Sequence, residues 1–469
     1  MNKIKTGLMA ALLLPSLAQA APQNREALFG ETHVHTKLSF DAFIFGNRNG
    51  PDESYRYAKG EAIGHPAGFE MKLPVPLDFQ ATTDHAMYLG MVPAMFDADS
   101  SVGSHRVATA LREAKTASER RQAFGQMLPY IGQQVEDDLL DMDIVRSAWA
   151  ETIAAADRHN DPGKFTTFTA YEYTSSQDTF ENLHRNVIFE DGAPDEPFSR
   201  LISKNPENLW RWMDSLRDRG MDSIAIPHNS NGSDGYMFWD KTYDGKEIDA
   251  RYSAMRMRNE PLVEISQVKG TSETHPLLSP NDEFANFEIM PYQIATWYES
   301  KVQGSYVREA YRKGLELQKA GAGNPFKFGL ISASDTHVGA GAFTESNYWS
   351  KIGMVDFNGV LRGSVELSWM QRLAHRFSAS AICGPNSTCR KVPAQVWRRK
   401  IRHRDFCICN GQAGGHQGWL AFGLRRIHVS LFSLPCVARK LSAQAGHVCG
   451  FGSLPVMAWA PNYLMTRNW

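Results

Sequence analysis

The chain has 469 residues, 42% of them hydrophobic and 22% charged, with a formal net charge of −1. These proportions describe a globular protein long enough for one large or two medium domains, and the balanced charge singles out no acidic or basic partner. All six cysteines lie at or after Cys383, which excludes thiolate ligands, a thiol nucleophile and disulfides from everything before it.

At the N-terminus, Lys3 and Lys5 precede a mostly apolar run from Gly7 to Leu17, followed by Ala18-Gln19-Ala20, an A-x-A cleavage site. The run is too short to anchor the chain in a bilayer, and no cysteine lies nearby to carry a lipid. We expect residues 1–20 to be a signal peptide, with a periplasmic or secreted mature chain that starts at Ala21 and has no membrane anchor.

Ala27-Leu28-Phe29 reads as a strand leading into Gly30-Glu31-Thr32-His33-Val34-His35-Thr36. Alternate side chains on a strand share a face, so His33 and His35 form a two-imidazole grip for a divalent metal. A Gly/Asn-rich loop, residues 46–52, ends at Asp52, expected to cap a short helix through Tyr55 and Ala58, and residues 60–76 read as a long surface loop. Leu77 to Thr83 is a second strand ending in Asp84-His85, and the pattern from Pro93 to Asp157 is helical. Phe165 to Tyr171 is a third strand, closed by Glu172, and His184 opens a fourth through Phe189. A helix from Pro206 to Arg219 stops at Gly220, and Ser223 to Pro227 is a strand ending in His228-Asn229. Leu262 to Ile265 is another strand. A helix is expected from Trp297 to Lys319, and a last strand from Phe326 to Ala333 ends in Asp335-Thr336-His337.

Strands thus alternate with helices and repeatedly end in His, Asp or Glu, which predicts an α/β fold with a parallel sheet and a site at the strand C-termini. The strand ends together supply His33, His35, Asp84, His85, Glu172, His184, His228, Asp335 and His337. A lone histidine at a strand end is ordinarily a hydrogen-bonded structural group. A convergence of six histidines with three acids points to a metal site held by nitrogen and oxygen.

The order H-x-H, T-T-D-H, a strand-terminal Glu, two further His and S-D-x-H resembles the PHP (polymerase and histidinol phosphatase) superfamily. The motifs FGETHVHTKLSFDAF, LDFQATTDHAMYLG, YEYTS, NLHRNVIF, IPHNSN and SDTHVGAG, between Leu28 and Gly341, more closely resemble the DUF3604 family. The resemblance implies a distorted (β/α)7 barrel with loop and helical insertions, occupying residues 21–365, and two or three divalent ions. By motif, His33, His35, Glu172 and Asp335 would hold one ion. Glu172 would bridge to a second, completed by His184 and His228, and His85 and His337 would hold a third. Many PHP members place a further histidine where this chain has Asp41, so the third site would be His/His/Asp. Asp84 would stand behind the ligands and orient an imidazole, because adjacent side chains on an extended strand cannot both face one ion.

Two divalent ions about 3.5–4 Å apart lower the pKa of a shared water and clamp attacking and leaving oxygens, which is hydrolytic chemistry. We therefore expect a metal-dependent phosphoesterase using metal-activated hydroxide, with Glu172, Asp335 and Asp84 serving catalysis and Zn, Mn or Fe as the metal. A carboxylic ester, amide or sulfate ester on the same centre stays open as a target, as does a non-catalytic metal-binding protein. The partner expected is a small-molecule ester, with no nucleic acid. Arg48, Asn229 and Lys269 are the candidate substrate contacts; Lys59, His65 and Asn231 are weaker ones, and Phe238 and Trp239 could form an aromatic wall. No P-loop, dinucleotide-binding glycine motif or serine-nucleophile elbow is present.

Residues 366–469 differ in character: 14 Lys and Arg against 2 Asp and Glu, with all the cysteines, while the rest of the chain carries 36 against 49. A basic nucleic-acid-binding extension and a thiolate site at Cys407-Ile408-Cys409 are two readings. The third, which the Arg/Cys/Trp/His-rich and acid-poor composition favours, is translation out of frame, with part of the barrel replaced. Sequencing the gene across Val365 separates them: an uninterrupted frame in independent reads would sink the third.

Overall fold

The computed structural model describes residues 27–362 apart from 136, 179, 297 and 343–347. The expected signal segment 1–20, the tail 366–469 and the proposed helix start at Trp297 lie outside the described residues.

The chain is a mixed α/β fold of small sheets and packed helices. In order come β1 (Gly30–Glu31), α1 (Phe40–Ile44), α2 (Pro51–Ala58), β2 (Ile63–Gly64), β3 (Glu70–Met71) and β4 (Phe79–Ala81). The helices α3 (Met91–Ala94), α4 (Arg106–Glu113), α5 (Ala117–Ile131) and α6 (Met142–His159) follow. Then come β5 (Thr166–Phe168), β6 (Ala170–Tyr173), β7 (Arg185–Phe189), α7 (Pro206–Arg217), β8 (Ser223–Pro227), α8 (Ala250–Asn259), β9 (Leu262–Gln267), β10 (Gly270–Thr271), α9 (Val307–Lys319) and β11 (Gly329–Ser332).

β1, β4 and β5 pair in parallel, as do β9 and β11. The all-parallel expectation fails at β7, which runs antiparallel to both β6 and β8. No helix separates β6 from β7 among the described residues, and antiparallel neighbours need no crossover. Two isolated parallel bridges extend the small sheets, one joining Val34 to Thr336 and the other His85 to Glu172. Through them the His33–His35 and Asp335–His337 segments lie side by side: the His35 amide donates to the Thr336 carbonyl at 2.8 Å, and the Gly339 amide to that of His35 at 3.0 Å.

The remaining differences are local. α2 is capped by the Gly50 backbone with Glu53 reaching back to it, while Asp52 sits in the first turn and pairs with Arg158 and His159. Residues 60–76 contain the hairpin β2–β3. α9 begins at Val307, so the polar stretch before it is not helical where described. The region expected to be helical from Pro93 to Asp157 contains α3 to α6, broken at turns such as the one before Thr116, whose side chain caps α5.

β4, β6 and β7 are buried along their whole length, as strands covered on both faces must be. The largest apolar cluster lies between helices and strands and includes Trp149, Tyr171, Phe189, Leu209, Trp210 and Met213. α7 shows how sequence produces such packing. Asn205 caps it by accepting from the Glu207 amide, Pro206 supplies a first-turn φ, and Leu209, Trp210, Met213 and Leu216 fall on its buried stripe.

Candidate metal centre

His33, His85, His228 and Asp335 follow the ends of their strands, Glu172 lies in β6, His184 precedes β7 and Asp41 lies in α1, and local hydrogen bonds fix several of the turns between. Glu31, fully buried, accepts from the amides of His33 (3.0 Å) and Ser334 (3.1 Å), and so ties the first ligand segment to the last. Asp335 and Asn229 both take positive φ, 52° and 49°, conformations that cost non-glycine residues energy and that cluster at functional sites. The Asp335 turn brings Asp335 and His337 to the same cluster.

His33, His35, Glu172 and Asp335 meet in the interior, each no more than 1% exposed. The His33 Nε2 lies 3.5 Å from Glu172 Oε2 and 3.4 Å from Asp335 Oδ1. The His35 Nε2 lies 3.3 Å and 3.2 Å from the same two oxygens. Glu172 turns its other oxygen, Oε1, to a second set: His184 Nδ1 at 2.7 Å, His85 Nδ1 at 3.3 Å and His228 Nε2 at 3.6 Å. A third set gathers around Asp41, whose Oδ2 lies 2.8 Å from His337 Nε2 and 3.3 Å from His85 Nε2.

Ligand-type groups thus occur as His33/His35/Glu172, as Glu172/His184/His228, and as Asp41 with His35, His85 and His337, each close enough to share an ion. A further grouping joins His33 and His228 to Glu264. His33 Nε2, His35 Nε2, Asp335 Oδ1 and both ring nitrogens of His228 are buried and have no hydrogen-bond partner. Buried polar atoms ordinarily find partners, so converging orphans of this kind fit a cation between them.

The electrostatics agree. Burial opposes ionisation of Glu172, but His85, His184 and His228 overcome it and hold the carboxyl well below its ordinary value. Burial likewise opposes charge on Asp335, where Lys269, Lys351 and His33 prevail, and on Asp41, where His337 and His85 do. Among the imidazoles, burial drives His184 down to about 4 and His337 to about 3. It is outweighed at His33 by Asp335 and Glu264, and at His85 by Glu172 and Asp41, and both rise to about 10.

All nine expected metal-type residues come together, with Asp41 in the third set. Asp84 faces away from them. It accepts from the Thr36 amide and hydroxyl, both at 2.6 Å, and from Ser39 Oγ at 2.8 Å, and that same hydroxyl meets His35 Nδ1 at 2.8 Å. Its influence on the cluster therefore passes through Ser39.

Of the substrate candidates, Arg48 points elsewhere. It donates to the carbonyls of Phe43 and Asn47 and stacks 3.6 Å from the Phe43 ring. Lys269 reaches the cluster, where its ammonium pairs with Asp335 Oδ2, and Asn229 Oδ1 lies 3.4 Å from it. The weaker candidates serve the fold: His65 meets Ser350, Asn231 donates to the carbonyls of Lys269 and Met290, and Phe238 packs on Phe326 and Phe328. Lys59 lies 5.9 Å from the Phe165 ring, and Trp239 packs edge-on to Tyr236.

The sequence reading missed three residues. Glu264 accepts from His33 Nδ1 at 2.9 Å, Thr174 lies 2.6 Å from His85 Nδ1, and Lys351 lies 3.3 Å from Asp335 Oδ2. Glu264 had a signal, being an acid in an otherwise apolar strand. Lys351, beyond any recognisable strand, had none.

The family model described as "Protein of unknown function (DUF3604)" matches residues 22–397. Among curated proteins none matches the chain. With its motifs gathered in one buried cluster and the family match spanning most of its length, this chain belongs to the DUF3604 family.

Proposed function

We propose that the chain is an exported metal-dependent hydrolase of phosphate esters, built on a distorted (β/α)7 barrel of the PHP type. Support for the barrel comes from strand neighbours: the segment after β11 bridges to that after β1 through Thr336 and Val34, the segment after β4 bridges to β6 through His85 and Glu172, and β6, β7 and β8 pair in turn. The observation that carries the activity is Glu172, whose two oxygens face two different sets of buried imidazoles. A carboxylate so placed would hold an ion in each set.

Divalent ions bound there, two or three of them and of the Zn, Mn or Fe type, would acidify a water and stabilise charge on substrate oxygens. The protein's own groups do the rest. Glu264 and Ser39 fix the ring orientation of His33 and His35 from behind. Side-chain exposure of 19% at His184, 14% at Asp41 and 24% at Lys269 marks the side from which substrate enters, while His33, His35 and His228 exclude water from the floor.

The test is metal analysis of the purified full chain together with an ester screen. Bound divalent metal, and turnover of an aryl phosphate that chelation abolishes, is the expected result. Bound metal without hydrolysis of any phosphate, carboxylic or sulfate ester would leave a metal-binding protein and sink the hydrolase reading.

A further inference from the structure

Asp335 divides its two oxygens between imidazoles and lysines. Its Oδ1 faces His33 and His35, and its Oδ2 alone receives two ammonium groups, those of Lys269 and Lys351. Each ammonium has three donors, so two that share one carboxylate oxygen keep donors for a further acceptor.

Both lysines are held in place. The Lys351 carbonyl accepts from the His337 amide at 2.7 Å, and its own amide donates to Asp356 at 2.8 Å. Lys269 sits in the turn between β9 and β10, where its amide donates to Gln267 Oε1 at 3.0 Å. Gly270 closes that turn at φ +101°, where a Cβ would meet the Glu288 carbonyl oxygen at 2.9 Å. The Lys351 side chain is 7% exposed and that of Lys269 is 24%, so one ammonium is seated and the other faces the open side.

A neutral donor stands next to them. Asn229, 1% exposed, has its Oδ1 engaged by Gln267 Nε2 at 2.7 Å and approached by Lys269 Nζ at 3.4 Å. That assigns its amide orientation and leaves Nδ2 a buried donor with no hydrogen-bond partner.

We propose that Lys269 and Lys351, with Asn229 beside them, receive the dianionic phosphoryl group of a phosphate monoester, and that they select it over diesters and uncharged esters. This rests on the hydrolase reading given above. A monoester phosphoryl group offers three non-bridging oxygens and two negative charges, which leaves an oxygen for the ammonium pair when others meet the cluster. A diester has two such oxygens and one charge. A carboxylic ester has no charge, and the lysines give it no advantage.

The experiment measures binding of inorganic phosphate to the full chain by calorimetry, at verified metal content, for wild type, Lys269→Met, Lys351→Met and Lys269→Arg. Losing one charged hydrogen bond predicts phosphate binding weakened about 10- to 100-fold in either Met variant, with Lys269→Arg restoring most of it. The rate ratio of an aryl phosphate monoester to the corresponding diester should fall about tenfold or more in Lys269→Met. Lysine-dependent phosphate binding without ester hydrolysis would defeat the hydrolase reading and uphold the anion site. Unchanged phosphate affinity in Lys269→Met with metal retained, or a wild-type preference for diesters, would overturn the proposal. Lys269 is the decisive position, because its partial exposure spares the fold if Lys351→Met unfolds.

Discussion

At the residue scale the centre turns on how single carboxylates divide their oxygens. Glu172 serves two imidazole sets, whereas His337 touches only the Asp41 set and the edge of Asp335. Glu172→Ala should therefore remove more bound metal than His337→Ala when both are analysed by elemental mass spectrometry. Equal losses would refute the bridging assignment. Behind the ligands, Glu264 holds His33 at 2.9 Å, and Glu264→Gln should weaken metal binding about 10- to 100-fold in a chelator competition. The residues of the cluster were legible because His and acid side chains recur at strand ends, where few structural needs put them. Arg48 misled for an equally physical reason. Its guanidinium is held against the protein by the carbonyls of Phe43, in α1, and Asn47, and by the Phe43 ring, which a loop's composition does not reveal.

At the element scale, backbone signals read well and strand direction did not. The cap at Asn205, Pro206 and the apolar stripe identify α7 within two residues of its end, because these are local effects. Trp210 on that stripe is buried and donates to Glu260, so Trp210→Ala should cost about 3–5 kcal/mol in chemical denaturation, with a loss below about 1 kcal/mol counting against it. Glu260 also joins Arg185 of β7 to Arg256 of α8 in a buried ion pair network. Burial opposes its charge, yet Arg185 and Arg256 hold its carboxyl below the ordinary value. Its stabilisation is thus present above the unfolded-state pKa and lost as pH falls through the lower native one. Glu260→Gln should destabilise by about 3–5 kcal/mol at neutral pH and by less in acid. A pH-independent difference would show that the charge is not what matters. The antiparallel β7 was not legible, since the composition of a short buried strand does not record which way it runs beside its neighbours.

At the scale of the whole molecule, ligand set and fold are coupled, because the residues that would hold metal come from strand ends spread between His33 and His337. Metal should stabilise the chain by about 2.7 kcal/mol at a hundredfold excess over Kd, raising Tm, and chelation should reverse it; an unchanged Tm would exclude a structural contribution. A metal bound there would have to displace protons from His33 and His85, each raised to about 10 in the cluster. Those protonated imidazoles stabilise the metal-free protein below their ordinary pKa, and that contribution fades as pH rises through about 10. Over the same rise metal affinity should strengthen, and an affinity flat between about pH 6 and 8 would contradict it. By itself the sequence determined the residue types, their placement at strand ends and the exclusion of sulfur ligands, all properties of local pattern and composition. Only the tertiary structure decided that Asp84 acts through Ser39, that Glu264 and Lys351 join the cluster, and which oxygen of Glu172 and Asp335 faces which partner. Those facts depend on distances between segments that lie far apart along the chain, and periodicity carries no information about them.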